Sequence, residues 1–445
     1  MLTDRLQRLL HVLAGVAIFG IAGGMQYLLG SRWNLWMFHL VLLCLGTTFV
    51  VFGFRAKGPV ARASSVACFV VLALTIPLVL GELVLRVFRF DFARSDAEVW
   101  SLVPPYYRVP TVPSGPVFFR RPGPEVWSGQ VLASWLDQQG VTPNPYREAP
   151  PTTISYSQEG FRNPETLRDW VIAVTGDSFT ELGYLPGDAL FTSVLRDQLG
   201  VEVKNLGVSF TGPLTQLHYL TEYGLAPNTR HAVVVFYEGN DLVDLEEESQ
   251  SLNSWRAGVS RPLREFVRQS SLLTQLARII RIETPGTDWV HGYFGAGKER
   301  VPITLDYMPP EASSLDEASR ERVERFFEAY EAFGREHGIV TWLAYMPVKR
   351  RVLHGLIEFD EGVSQEMRDW QPSDLPEFIA DMAARHHVRF IDLIEPMVDE
   401  TRLNRRLLYN AIWDTHLNAD GSEVVGRTLA SPLAPLLQAG REGKP

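Results

Sequence analysis

The sequence predicts an α/β protein, a doubly wound five-stranded parallel sheet with helices on both faces, preceded by three transmembrane helices. Three observations lead there. Five short runs rich in β-branched residues alternate with helical stretches downstream of residue 156. Polar residues suited to chemistry recur at or beyond the carboxyl ends of those runs, where open α/β sheets bind their ligands. The first 89 residues hold instead three apolar runs, each near the roughly 20 residues that a spanning helix needs.

Those runs cover about His11 to Gly30, Leu35 to Phe54 and Val66 to Phe88. A secretory signal would show one short apolar core and a cleavage site, whereas a second and third run follow here at once. Arg5 and Arg8 precede the first run, and Arg55, Lys57 and Arg62 lie between the second and third, against Arg32 alone between the first and second. Basic loops stay on the cytoplasmic side. The expectation is therefore a multi-pass anchor (residues 1–89) in a bacterial inner membrane, with the N-terminus cytoplasmic and the remainder periplasmic or extracellular. Glu82 and Arg86, four apart, pair on one helix face near the interface.

Residues 1–89 take 8 of the 42 Lys and Arg but only 2 of the 52 Asp and Glu, which leaves 34 basic against 50 acidic residues in the exported part. Such a surface repels polyanions and excludes nucleic acid as the expected partner. Both cysteines, Cys44 and Cys68, fall in the apolar runs. The exported part thus has neither disulfide nor thiol chemistry.

Residues 90–155 form a Pro-rich connector; Val99 to Pro151 holds eleven of the 29 prolines. Its many aromatics, Tyr106 and Tyr107 among them, imply that some of it packs. The α/β domain is expected over residues 156–440. Its strands are Val171 to Thr175, Val201 to Leu206, Ala232 to Tyr237, Ile339 to Tyr345 and Val388 to Leu393. A helix is expected from Ser314 to Glu336, opened by a Ser314/Glu317 capping box, with Val323, Phe326, Phe327 and Tyr330 on one face. Another runs from Asp374 to Arg385. Residues 245–312 are too long for one connection and read as an insertion. It opens inside the acidic run Asp244 to Glu248 and includes a helical stretch, Pro262 to Arg281, and a strand-like segment, RVPITLDY. The Pro262 to Arg281 stretch is expected to pack on the domain, with a lid or a membrane contact as the other readings.

The strand ends carry the chemistry. The first runs into Gly176-Asp177-Ser178, the second into Asn205-Leu206-Gly207 and VSFTG, the third into Glu238-Gly239-Asn240-Asp241, and Asp414-Thr415-His416 follows the fifth. A serine nucleophile needs a base held by a third group. His416 is the candidate base and Asp414 its orienter, since residues i and i+2 of an extended loop point the same way. Three donors on this edge could meet an oxyanion: the Ser178 and Gly207 backbone N–H groups and the Asn240 side-chain amide. Asp177 and Asp241 read as supports of backbone turns. Lys349, Arg350 and Arg351 read as a solvated basic turn, with steering of an anionic group as the other reading. His386 and His387 suit a helix C-terminus and lack metal-ligand spacing, so neither metal nor cofactor is expected.

The blocks TGDSFT, NLGVSFTG, YEGNDL and WDTHLNADG, in this order over roughly Tyr156 to Leu437, resemble the four conserved blocks of the SGNH hydrolases, or GDSL esterases. YSQEGFRNP before them resembles the lead-in of membrane-anchored bacterial members. The resemblance implies a flavodoxin-like sheet, Ser178 as nucleophile, Gly207 and Asn240 as oxyanion donors, and a triad completed by Asp414 and His416. The chain departs in two places: Glu238 stands where the third block has Gly, and the last block is Asp-x-His rather than Asp-x-x-His. The shorter spacing is similar to that of members acting on exported polysaccharides as O-acetyltransferases or esterases. Hydrolysis and O-acyl transfer stay open. Transfer on the outer face requires an acyl donor supplied across the membrane by a multi-span or carrier partner. A glycan-binding or envelope-assembly protein without catalysis, and a lipid or lipoprotein esterase, are the competing readings.

Overall fold

The computed structural model describes residues 11–15, 18, 47, 105–107, 110–131, 151–256, 290–295, 300–305, 307–412 and 414–442. The chain divides into two units, Met1–Trp100 with Gly258–Gly286, and Ser101–Ala257 with Thr287–Pro445. The expected spans, the Glu82–Arg86 pair, the Pro262 to Arg281 helix and residues 132–150 of the connector lie almost entirely outside the described residues. Among the described residues no helix is long and apolar enough to cross a membrane.

The second unit is built on five parallel strands: β1 (Ile172–Thr175), β2 (Val203–Asn205), β3 (His231–Tyr237), β4 (Val340–Met346) and β5 (Arg389–Asp392). Their spatial order is β5-β4-β3-β1-β2. The order reverses between β1 and β3, and in open α/β sheets such a switch point, beyond the strands' carboxyl ends, is where ligands bind. Side chains alternate between the faces with period two. Ile172, Val174, Val233, Val235, Trp342 and Ala344 point to one core, together with residues of α2 (Phe191–Leu199) and α9 (Ala419–Glu442). Ala173, Ala232, Val234, Phe236, Leu343 and Tyr345 point to the other, with α3 (Pro213–Tyr223), α5 (Glu317–His337) and α7 (Leu375–Arg385). Helices on both faces bury every residue of β3, which explains why HAVVVFY is apolar without alternation.

The apolar face expected for α5 is buried, and Tyr330 Oη donates to the carbonyls of Ala232 (2.8 Å) and Trp342 (2.9 Å). Its cap differs from the capping box expected at Ser314. Asp316 is the N-cap, accepting from Ser319 N at 2.7 Å, while Ser314 sits in a preceding 3-10 turn and donates to Glu311 O. Asp outcompetes Ser here because its carboxylate reaches the third amide of the helix with a full charge.

The first residues expected in the insertion are helical. Residues 245–256 belong to a regular helix, α4 (Asp241–Arg256), that starts directly after β3. Farther on, Val301–Ile303 is the strand expected there, part of an antiparallel trio with Gly292–Phe294 and Ile357–Phe359. In the connector, Val112–Pro113 pairs with Phe119–Arg120, and Glu125–Gly129 pairs with Thr152–Tyr156.

Candidate active site

Ser178 opens α1 (Ser178–Glu181), the turn of helix that follows β1. Asp177 caps it, Oδ1 accepting from Phe179 N at 2.8 Å. Ser178 is the first helical residue, so its N–H is one of the donors that a helix leaves unused. Burial pushes the Asp177 carboxyl up to about 6, against the opposing pull of the Phe179 amide and the His416 ring.

His416 and Asp414 arrive from the other end of the chain. The segment after them is fixed by Asn418, which accepts from Gly421 N at 2.9 Å and so caps α9. Asp414 Oδ1 accepts from both the backbone N (2.8 Å) and Nδ1 (2.9 Å) of His416, and from Asn410 Nδ2 at 3.1 Å. The Asp-x-His spacing is therefore an Asx turn whose carboxylate also holds the ring. Burial raises the Asp414 carboxyl, but the His416 ring and these hydrogen bonds outweigh it and hold it at about 2. His416 Nε2 lies 2.7 Å from Ser178 Oγ. Asp177 Oδ2 is the weaker alternative acceptor for that hydroxyl, at 3.4 Å. An imidazole with Nδ1–H committed to Asp414 presents an unprotonated Nε2 to the serine hydroxyl, the arrangement that proton abstraction requires.

The chain resembles the SGNH hydrolases. Solved structures similar to it include a lipolytic protein of the G-D-S-L family from Veillonella parvula (10% identity, 58% of this chain and 94% of that one, TM-score 0.31). Others are an acetyl xylan esterase (13%, 59% and 100%, 0.32) and a lipase/acylhydrolase from Enterococcus faecalis (14%, 60% and 96%, 0.30). No family model matches the chain, and no curated protein matches it. The chemistry rests on the residues themselves.

The expected oxyanion donors are placed unequally. Asn240 gives one amide hydrogen to Asp244 Oδ2 at 2.5 Å and keeps a second. Gly207 N–H instead donates to Asn205 Oδ1 at 2.8 Å, so this donor is engaged. Its lack of a side chain serves packing: a Cβ there would stand 2.4 Å from Glu181 N and 2.5 Å from the Thr180 carbonyl carbon.

Asp241 meets the role expected of it, Oδ2 accepting from Tyr237 N at 2.8 Å. Helical spacing puts Asp241, Asp244 and Glu248 of α4 on one buried side. Glu248 accepts from the N–H groups of Gly212 (2.8 Å) and Leu214 (2.9 Å) at the start of α3, tying down the loop after β2. Burial first, then Asp177 and Glu248, push the Asp244 carboxyl up to about 8.

The basic turn after β4 is corrected: Lys349, Arg350 and Arg351 are all buried rather than solvated. Lys349 Nζ donates to the carbonyls of Asp414 (2.8 Å) and Thr304 (2.9 Å). Arg351 pairs with Glu238, whose other oxygen accepts from Val348 N at 3.0 Å. Glu238 thus ties the end of β3 to the end of β4. His386 and His387 lie against Glu324 and Glu331.

Sequence reasoning missed Glu181, Arg121 and Tyr106. Glu181, three residues past Ser178, is buried and receives Arg121 Nη2 at 2.9 Å and the Tyr156 hydroxyl.

Proposed function

We propose that this chain is a serine acyl-ester hydrolase or O-acyl(acetyl)transferase of the SGNH type, and that Ser178, His416 and Asp414 are its triad. The observation that carries the reading is the continuous chain of contacts, 2.7 Å from Ser178 Oγ to His416 Nε2 and 2.9 Å from His416 Nδ1 to Asp414 Oδ1. Ser178 Oγ attacks the ester carbonyl carbon while His416 Nε2 takes its proton. Asp414, ionised throughout, stabilises the imidazolium. The tetrahedral oxyanion is met by Ser178 N–H and the free Asn240 amide hydrogen; Gly207 N–H joins them on releasing Asn205 Oδ1. His416 then protonates the departing alcohol, leaving acyl-Ser178. Water or a sugar hydroxyl, deprotonated by the same Nε2, completes hydrolysis or transfer. The apolar runs of residues 1–89 support the further proposal of a membrane anchor, with the catalytic unit on the outer face acting on an exported glycan or another ester.

The test is the full chain in membranes or detergent with an aryl acetate, with and without oligosaccharides, beside Ser178→Ala. Mass spectrometry follows acetate, acetyl-Ser178 and acetylated sugar. Serine-dependent acetate release identifies a hydrolase and acetylated sugar a transferase. A folded protein that neither acylates nor turns over leaves the glycan-binding reading in its place.

A further inference from the structure

The connector reaches the catalytic histidine. Tyr106, in the short turn Pro105–Tyr107, stands edge-on to the His416 ring, with centroids 5.6 Å apart and planes at 82°. Phe179 packs on the same imidazole at 4.5 Å and Tyr184 lies at 6.4 Å. Tyr106 and Tyr184 also meet edge-on at 5.3 Å. The placement of Tyr106 is tied to the nucleophile's own helix. Arg121 donates to the carbonyls of Pro105 and Tyr106 (the latter at 2.8 Å), and the same guanidinium is paired with Glu181, the last residue of α1. Gly183 makes the room, since a Cβ at that position would stand 2.5 Å from the Tyr106 ring.

From this arrangement we propose that Tyr106 is a positioning residue for His416, needed most when the acyl-enzyme breaks down. The inference rests on the triad reading above. In the free enzyme two hydrogen bonds orient the imidazole, one to Asp414 and one to Ser178 Oγ. Once Oγ is esterified it has no proton to donate, and one of the two tethers is gone. Nε2 must still be aimed at the incoming water or sugar hydroxyl. The Asp414 bond and the aromatic packing of Tyr106, Phe179 and Tyr184 then take a larger share in holding the ring in register, and a misplacement of about 1 Å can cost roughly 100-fold in rate. Residues far upstream of the first strand of the sheet thereby complete the site.

The experiment measures steady-state kinetics and acyl-Ser178 occupancy by intact mass in full-length wild type, Tyr106→Phe, Tyr106→Leu and Tyr106→Ala, with Ser178 counted by a fluorophosphonate. Slower deacylation lowers kcat and KM together and leaves kcat/KM untouched. The Leu and Ala variants are therefore expected to lose about tenfold or more in kcat per counted site, with kcat/KM within about threefold of wild type and acyl-enzyme accumulating. Tyr106→Phe should behave as wild type. Ile154→Ala, a buried control in the strand Thr152–Tyr156, should lower Tm and keep kcat per counted site. If the Ala variant does not fold, Tyr106→Leu, which keeps apolar bulk, decides. A full rate in Tyr106→Leu, or losses in kcat and kcat/KM that match without acyl-enzyme build-up, overturns the inference. Turnover and labelling that survive Ser178→Ala overturn the triad reading instead.

Discussion

Asp414 serves its own loop twice, bonding the backbone and the ring of a residue two positions on. A carboxylate so committed has little freedom to drift. Its carbonyl is in turn held by the buried Lys349. Lys349→Met keeps the length and removes the charge and the donor that two buried carbonyls accept from, where an unsatisfied buried polar group costs about 1–3 kcal/mol. The expected outcome is a lower Tm together with a reduced kcat, read by thermal denaturation and ester turnover; a variant with parental Tm and kcat contradicts it. Asn240 predicts a different signature. Removal of a single oxyanion donor costs about 10²–10³-fold in kcat, so Asn240→Ala should lose that much in turnover and little in Tm. An unchanged rate would remove Asn240 from the oxyanion pocket.

Among the elements, α4 carries the most consequence for so acidic a stretch. Its inward side holds the Asn240 amide through Asp244 and the start of α3 through Glu248. Asp244 has its folded value raised to about 8 from 3.8. Between those values the folded protein binds a proton that the unfolded chain releases, so this group's contribution falls as pH rises from about 4 to 8. Asp244→Asn removes that proton demand. Its Tm advantage over the parent should grow between pH 5 and pH 8 and close below about pH 4; a gap independent of pH contradicts the assignment. The Glu238–Arg351 pair makes a second prediction. Breaking a buried pair from one side typically costs about 3–5 kcal/mol, whereas replacing both partners by apolar groups is often nearly neutral. Glu238→Ala should therefore cost far more in denaturant unfolding than Glu238→Leu/Arg351→Met, and equal losses would refute the account.

At the scale of the whole molecule, carboxyls of opposite sign shape the stability curve. Asp177, Asp241, Asp244 and Glu248 are all raised, chiefly by burial, and make stability fall as pH rises above about 4. Asp414, held at about 2, contributes stability that is lost as pH drops from about 4 toward 2. Maximum Tm is expected on the acid side of neutrality, and an optimum above pH 8 would contradict this balance. Much of this architecture was legible beforehand. Five β-branched runs and the residues at their ends mark the sheet and bring Ser178, His416, Asp414 and Asn240 to one edge, because period and burial leave a local imprint. What escaped was contact between distant segments. Nothing local distinguishes Lys349 or Arg351 from surface cations, and Tyr106 looks like any aromatic in a Pro-rich stretch. Nothing local shows that α1 packs against Gly207 either; only the folded chain brings the two together.

The two halves of the proposed triad lie 238 positions apart along the polypeptide, with the nucleophile on the strand order's first crossing and the base after its last. During vectorial synthesis, therefore, Ser178 emerges long before the segment that can activate it. Until then the chain carries the hydroxyl without its proposed base. In the proposed triad, competence for chemistry therefore waits on the segment that delivers His416 to Ser178.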